Sequence, residues 1–254
     1  MTGRHRPLHT VGLLLVVVTI AASAFSGCAS SAKVNDTPAQ DQLLERYNRS
    51  ARQAFESGRF DQAAGLYRKA LDRAYIRDDA EAIPDALYNL AISLSNQRSF
   101  EEALDVVKQA KMELTLRTLG VQVDLLLLEA KLHYYREDLE LTYAVTDEIL
   151  AAEPEASPLI RSKTFYLRGL IAAQRGNAQA LREAIAGLGE PALPQLMADR
   201  YDLMGHLAMA EKNWKAAIDA FDRTADLRRE DLDYARMIEA LVLAARACEQ
   251  AKDL

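Results

Sequence analysis

The stretch Ser57–Leu71 reads SGRFDQAAGLYRKAL, and it contains the end of one helix and the start of another. Gly58, a polar residue and an aromatic residue close the first helix and open the second. In the second helix, Ala63, Tyr67 and Ala70 follow at spacings of four and three, which places them on one helical face. Two amphipathic helices joined by such a short turn predict a helical hairpin.

Copies of this stretch recur along the chain every 36–40 residues. The residues aligned just before each second helix are Phe60, Phe100, Leu139, Ala178 and Trp214. Small residues recur at the places where the hairpins would contact each other, namely Ala51, Ala63, Ala91, Ala103, Ala130, Gly169, Gly205 and Ala217. The pattern resembles the tetratricopeptide repeat (TPR), a helix–turn–helix unit of about 34 residues. The resemblance implies a TPR-like α-solenoid of about five repeats over residues 41–230.

The composition agrees with an all-α fold. Half of the residues are apolar, and the chain has only 7 Pro and 11 Gly. Outside the N-terminus, no run of β-branched residues alternates with period two, so the sequence predicts no sheet. The formal net charge of −6 and the lack of a basic stripe argue against a nucleic-acid partner and against electrostatic binding to anionic lipid.

Local signals mark where several helices begin. Pro84, Pro158 and Pro194 precede apolar periodic segments, and proline is tolerated in the first turn of a helix. Ser99 and Glu102 have the S-x-x-E spacing of a capping box, which predicts reciprocal hydrogen bonds at the start of a second helix.

Residues 231–254 are predicted to form a helix that caps the exposed end of the stack. The residues expected on its packing stripe are Tyr234, Ile238, Leu241, Ala245 and Cys248. Cys248 is interpreted as a small buried hydrophobic residue, not as a reactive thiol.

Residues 1–27 have the layout of a bacterial lipoprotein signal peptide. Arg4 and Arg6 precede an apolar core shorter than a bilayer span, and small residues follow. The ending FSGC resembles a lipobox, which implies that Cys28 is lipidated and becomes the first residue of the mature chain. The alternatives are an ordinary signal peptide cleaved near Ala24 and an uncleaved signal anchor.

Residues 28–40 then provide the lipidated cysteine and a small, polar, flexible tether. A chain of this kind is expected in the bacterial cell envelope, bound to the membrane by its lipid. The residue after the cysteine is Ala29 and not Asp, which in a Gram-negative source favours the outer membrane facing the periplasm.

The sequence contains little that would support catalysis. It has no G-x-S-x-G, H-E-x-x-H or C-x-x-C motif, so we expect no enzyme, no catalytic residues and no cofactor. Glu129 and His133 lie four apart on a helix and could share a metal ion, but no third ligand is identifiable, so we expect no metal site.

TPR proteins bind a peptide or protein along a concave face formed mainly by the first helices, and the resemblance implies the same here. The matching candidate positions are Asn48, Arg52, Tyr88, Asn89, Ile92, Lys131, Tyr134, Lys163, Tyr166, Leu170, Asp202 and His206. The tyrosines could equally pack between repeats. The expected function is a lipid-anchored scaffold or adaptor for an outer-membrane or periplasmic assembly. The alternative is an accessory or regulatory subunit of a cell-wall hydrolase or another envelope enzyme.

Overall fold

The computed structural model describes residues 41–120, 122–152, 156–189 and 193–252. These residues form eleven α-helices and no strand. In chain order the helices are α1 (Gln42–Glu56), α2 (Phe60–Ile76), α3 (Ala82–Asn96), α4 (Phe100–Leu116), α5 (Val123–Tyr135), α6 (Leu139–Ala151), α7 (Pro158–Gln174), α8 (Ala178–Leu188), α9 (Pro194–Ala210), α10 (Trp214–Glu230) and α11 (Tyr234–Lys252). The predicted all-α class is confirmed.

The helices pair into five hairpins that stack in chain order. Helices α1, α3, α5, α7 and α9 are the first helices of the hairpins, and each packs on the second helix that follows it. Neighbouring hairpins contact each other as well, and in the C-terminal half the first helices α5, α7 and α9 pack side by side. This is the predicted solenoid of five helix–turn–helix repeats, followed by α11 packed on α10.

Side chains at the helix starts explain why the elements begin where they do. The five aligned residues, from Phe60 to Trp214, are the first residues of the second helices, within one position of the prediction. Asp41 caps α1 by accepting hydrogen bonds from the backbone N–H groups of Leu43 and Leu44, both at 3.0 Å. Pro158 is the first residue of α7, where its missing N–H has no intrahelical partner to lose.

Each of the five hairpin turns contains one residue with a left-handed backbone conformation. At Gly58 and Gly176 this residue is glycine, with φ of 71° and 63°. At Arg98, Glu137 and Lys212 the same conformation is adopted by residues with a side chain. The left-handed residue ends the first helix and turns the chain into the next, so a consistent backbone geometry links hairpins of different sequence.

Small residues lie where helices approach most closely. Ala63, Ala103 and Ala217 are fully buried, as the repeat pattern predicted. A Cβ atom placed on Gly205 of α9 would lie 2.5 Å from a ring carbon of Phe221 on α10. The absence of a side chain at Gly205 therefore lets this large aromatic ring pack directly on the α9 backbone.

The predicted packing stripe of the last helix is wrong. Helix α11 buries Ala240, Ala244 and Ala247 against the stack, while Tyr234 and Leu241 face outward. Of the other residues predicted on this stripe, Ile238 and Ala245 are also exposed, and Cys248 is a half-buried free thiol. Close approach of α11 to α10 favours alanines at the contact over larger aliphatic side chains.

The predicted capping box at Ser99 is wrong as well. Ser99 is the N-cap of α4, but its side chain accepts no capping hydrogen bond. Glu102 instead pairs with Arg68 on α2, 34 residues earlier. Glu102 therefore takes part in an ion pair between neighbouring hairpins and not in a local capping box.

The signal peptide over residues 1–27, the lipidation of Cys28 and the tether to residue 40 all lie outside the described residues and stay predictions. None of the described helices is long and apolar enough to cross a membrane.

Candidate functional site

Two adjoining cavities, which together are called the groove, are lined by helices α3, α5, α7, α9, α10 and α11, with Phe100 of α4 at one margin. The N-terminal cavity measures about 730 Å³ and the C-terminal cavity about 490 Å³. They share four wall residues, Lys131, Tyr135, Lys163 and Ala235, so the groove passes from one cavity into the other.

The N-terminal cavity has a mixed apolar and polar wall. Tyr88 and Ile92 of α3 face Leu159 at the start of α7, and Asp124 adds a carboxylate from α5. Leu159 is an exposed large aliphatic side chain in this structure. Such a wall offers both apolar contact and hydrogen bonding to an extended chain segment.

The floor near the C-terminal cavity is held by one buried carboxylate. Asp199 of α9 is fully buried and accepts a hydrogen bond from Lys163 Nζ at 2.7 Å. Arg228 of α10 also donates to Asp199, and Arg236 of α11 lies 3.9 Å from the same carboxylate. Three cations from three other helices therefore converge on Asp199 and tie the groove walls together.

A second buried acid lies one helical turn further along α9. Asp202 accepts a hydrogen bond from the Tyr166 hydroxyl at 2.8 Å, and His206 Nε2 lies 4.0 Å from the same carboxyl group. Burial raises the pKa of Asp202 and lowers the pKa of His206. Burial and the neighbouring acids raise the pKa of Tyr166 well above its ordinary value, so its hydroxyl stays a hydrogen-bond donor.

Lys131 differs from Lys163, Arg228 and Arg236 because it has no hydrogen bond or ion pair to any described residue. It lies between the two cavities and lines both of them. Burial lowers its pKa, and the positive charges of Lys163 and Arg236 lower it further. An incoming carboxylate would relieve this repulsion, so Lys131 is the polar group of the groove best suited to a ligand.

The structure brings most of the predicted candidates to the groove. The ones that line a cavity wall are Tyr88, Ile92, Lys131, Tyr134, Lys163, Tyr166, Leu170, Asp202 and His206. Asn48, Arg52 and Asn89 are not among the residues of these walls, and the Asn89 side chain donates to the carbonyl of Asp85 at 2.8 Å. Whether the wall residues bind a partner stays a prediction.

Sequence reasoning missed the contribution of the last helix. Arg236 and Glu239 of α11 line the C-terminal cavity, and Ala235 lines both cavities. These residues were overlooked because the large apolar side chains of α11 suggested a different inward face. The sequence feature that marks the contact of α11 with the stack is the spacing of Ala240, Ala244 and Ala247.

The Glu129–His133 pair has other partners in this structure. Glu129 accepts a hydrogen bond from Lys111 at 2.9 Å, and His133 Nδ1 lies 3.7 Å from Asp138. Within residues 41–252 as the structure describes them, no group of three His, Cys, Asp or Glu side chains is placed to hold a metal ion.

Comparisons with known proteins relate the chain to solved TPR structures. No family model matches it, and no curated protein is similar enough in sequence to count as a relative. A TPR protein from Parabacteroides merdae is 17% identical, with a TM-score of 0.54 over 84% of this chain and 79% of the other. A thermophilic TPR protein from Thermus thermophilus is 22% identical, with a TM-score of 0.51 over 78% of this chain and 99% of the other.

These likenesses agree with the repeat pattern, the five stacked hairpins and the small residues at their contacts. The chain therefore has the fold of tetratricopeptide repeat proteins.

Proposed function

We propose that this protein is a non-enzymatic scaffold that binds a segment of a partner protein in the groove. The observation that carries the proposal is the pair of adjoining cavities on the first-helix side of the stack, with volumes of about 730 and 490 Å³. Stacked hairpins expose such a face by construction, because each first helix buries only part of its surface against its neighbours.

The side chains of the groove suit an extended peptide segment. Tyr88, Ile92 and Leu159 supply apolar contact, and Tyr134 and Tyr135 add aromatic surface next to them. Tyrosine gives large contact areas at low cost in conformational entropy, which is why it is frequent at sites that dominate binding energy.

The charge of the groove favours a partner segment with an acidic residue. Asp199 already neutralises Lys163 and lies next to Arg228 and Arg236, whereas Lys131 has no such partner. A carboxylate placed beside Lys131 would form an ion pair in a half-buried setting, where the attraction is stronger than at an open surface. The partner is therefore proposed to contribute an Asp or Glu side chain at the junction of the two cavities.

We further propose that the scaffold works in the bacterial cell envelope, lipid-anchored at Cys28, on the periplasmic side of the outer membrane. The sequence FSGC at the end of an apolar N-terminal segment supports this location. Several acyl chains on one residue give stable anchoring, which a single chain does not. The partner would then belong to an outer-membrane or periplasmic assembly.

The groove is tested by capture of partner proteins from envelope fractions on the purified full chain. The variant Tyr88→Ala with Tyr166→Phe removes one aromatic ring from the N-terminal cavity and one hydroxyl from the C-terminal cavity. We expect it to lose at least 10-fold in captured partner with unchanged helicity. Tyr143→Ala, a half-buried tyrosine on second helix α6, is the matched control and should capture normally. Equal capture by the groove variant would contradict the proposal.

The anchor is tested separately by intact-mass measurement of the protein purified from membranes. A chain that begins at Cys28 and carries the added mass of acyl chains is expected. An unlipidated chain cut near Ala24, or one that keeps its N-terminus, would contradict lipid anchoring and leave the groove proposal unaffected.

A further inference from the structure

The last helix carries an apolar face that no described residue covers. Tyr234, Ile238, Leu241 and Val242 are exposed by 55%, 56%, 46% and 46%, respectively. Their spacing of four, three and one places them together on the side of α11 that points away from the stack, and Ala245 extends the same face. These five residues are called the α11 face.

A solvent-facing helix side normally carries polar residues. In α11 the opposite holds, because the small residues Ala240, Ala244 and Ala247 are buried and the large apolar ones are exposed. A contiguous patch of large aliphatic and aromatic side chains along one helix is typical of an interaction surface.

Two charged residues border one edge of the α11 face and restrict what can cover it. Glu239 and Arg246 are seven residues apart, so they lie on the same edge, two helical turns apart. Both are exposed, and neither forms a hydrogen bond or ion pair with another described residue. The edge therefore presents one negative and one positive group without an ion-pair partner among the described residues.

We propose that the α11 face binds the α11 face of a second copy of this chain, with the two helices antiparallel about a two-fold axis near Val242. In this arrangement Glu239 of each copy approaches Arg246 of the other, so the symmetric dimer contains two equivalent ion pairs. A parallel arrangement, with the two-fold axis along the helices, would place the two charged edges on opposite sides of the interface, so neither Glu239 nor Arg246 would meet its counterpart. The edge charges thus select the antiparallel orientation.

The same charges disfavour a lipid surface as the occupant. Helices that lie on anionic membranes carry Lys and Arg along the edges of their apolar face. The edge of the α11 face alternates in sign, and the whole chain has a net charge of −6. A second copy of the chain fits this pattern, and a bilayer does not.

The contact would be small and the dimer correspondingly weak. Helix α11 has 19 residues, a length of about 28 Å. One helix against one helix lies at the low end of specific interfaces, so we expect a dissociation constant on the order of 1–100 μM. Tethering both copies to one membrane would raise their effective concentration.

Disulfide crosslinking of the full chain in isolated membranes tests the proposed dimer. In a Cys248→Ser background, Val242→Cys places a thiol next to the two-fold axis, where two copies come within disulfide reach. Mild oxidation is expected to give a covalent dimer of twice the chain mass. The matched control is Leu141→Cys on α6, at 51% exposure, which should crosslink at least 5-fold less.

Charge reversal then separates specific pairing from nonspecific collision. Glu239→Arg and Arg246→Glu should each lower the dimer yield several-fold, and the two together should restore it, because the pair is re-formed with opposite signs. Equal yields from positions 141 and 242, or no restoration in the double variant, would overturn the proposal. A monomeric product that joins position 242 to Cys28, or an adduct of another mass, would identify a different occupant and overturn it too.

Discussion

The Tyr166 hydroxyl of α7 donates a hydrogen bond of 2.8 Å to the buried carboxyl group of Asp202 on α9. The bond joins the first helices of two neighbouring hairpins at the wall of the C-terminal cavity. Asp202 remains in an environment that disfavours its charge, because burial outweighs the opposing effects of His206 and Tyr166 and its pKa is raised. The burial of Asp202 therefore makes the stability of the folded protein depend on pH.

The first prediction concerns the pH dependence that Asp202 introduces. Because the folded-state pKa is raised, the folded protein binds more protons than the unfolded chain just above the ordinary value of 3.8, so stability falls as the pH rises through this window. An asparagine at position 202 cannot ionise, so Asp202→Asn should lose less stability than the wild type as the pH rises. At pH 7 the variant should therefore unfold at a higher urea concentration than the wild type. Urea unfolding at pH 4 to 7 measures it.

The exposed residue Asp105 of α4 supplies the control, since it forms no ion pair with another described residue. Asp105→Asn should follow the wild-type curve. If the stability of Asp202→Asn changed with pH in the same way as that of the wild type, Asp202 would be as easily ionised in the folded protein as in the unfolded chain.

The second prediction has the opposite sign and concerns Asp41. The backbone N–H of Leu44 lowers the pKa of Asp41 to about 2, and Arg73 and Arg77 contribute to the same effect. The stability that Asp41 adds is thus present above pH 3.8 and disappears as the pH falls toward 2. Asp41→Asn keeps a capping side chain but removes the charge.

We expect the Asp41→Asn variant to melt about 2–4 °C below the wild type at pH 6 and to approach it near pH 2. Melting curves between these two values give the measurement. A constant difference at every pH would show that the loss comes from the cap geometry and not from the charge.

The third prediction tests the close contact between α9 and α10. Gly205→Ala places a methyl group 2.5 Å from a ring carbon of Phe221 and should lower the free energy of unfolding by ~1–3 kcal/mol. Gly65→Ala is the matched control, because Gly65 is also helical but nothing lies within 4 Å of its added Cβ. The control should gain ~0.5–1 kcal/mol from the higher helix propensity of alanine. Similar effects at both positions in denaturant unfolding would contradict the proposed packing.

The fourth prediction concerns the charge of Lys131 in the groove. Lys131→Ala removes the one cavity lysine without an ion pair to a described residue and should weaken capture of an acidic partner segment by about 10-fold. Folding should not suffer, because the folded state is relieved of repulsion from Lys163 and Arg236. Binding is measured by titration at 50 and 300 mM salt, and the wild type should lose more affinity with salt than the variant.

Lys69→Ala on α2 serves as the matched control for Lys131→Ala, since Lys69 is exposed and lines neither cavity. It should bind as the wild type does. If Lys131→Ala kept full affinity, Lys131 would not be the group that binds the acidic residue of the partner.

Much of the fold could be predicted because its signals are local. Phe60 and Trp214 begin second helices, and Pro158 and Pro194 begin first helices, since turn and cap chemistry is encoded within a few residues. The burial of Ala103 followed from the repeat pattern for the same reason: equivalent contacts recur in each hairpin.

The parts that failed depend on contacts between distant residues. The orientation of α11 could not be read from Tyr234 and Leu241, because close approach to α10 favours small side chains over large ones at the contact. Ser99 lost its predicted capping box because Glu102 pairs with Arg68 of the preceding hairpin. The burial of Asp199 depends on cations from three other helices, which no local spacing reveals.

The groove is tested most directly by photo-crosslinking in intact envelopes. A benzoylphenylalanine residue replaces Ile92 in the wall of the N-terminal cavity, or replaces Ile76, which is exposed at the end of α2 and lines neither cavity. After irradiation, we expect a discrete crosslinked envelope protein from position 92 and none from position 76. The same products from both positions, or none from position 92, would contradict partner binding in the groove.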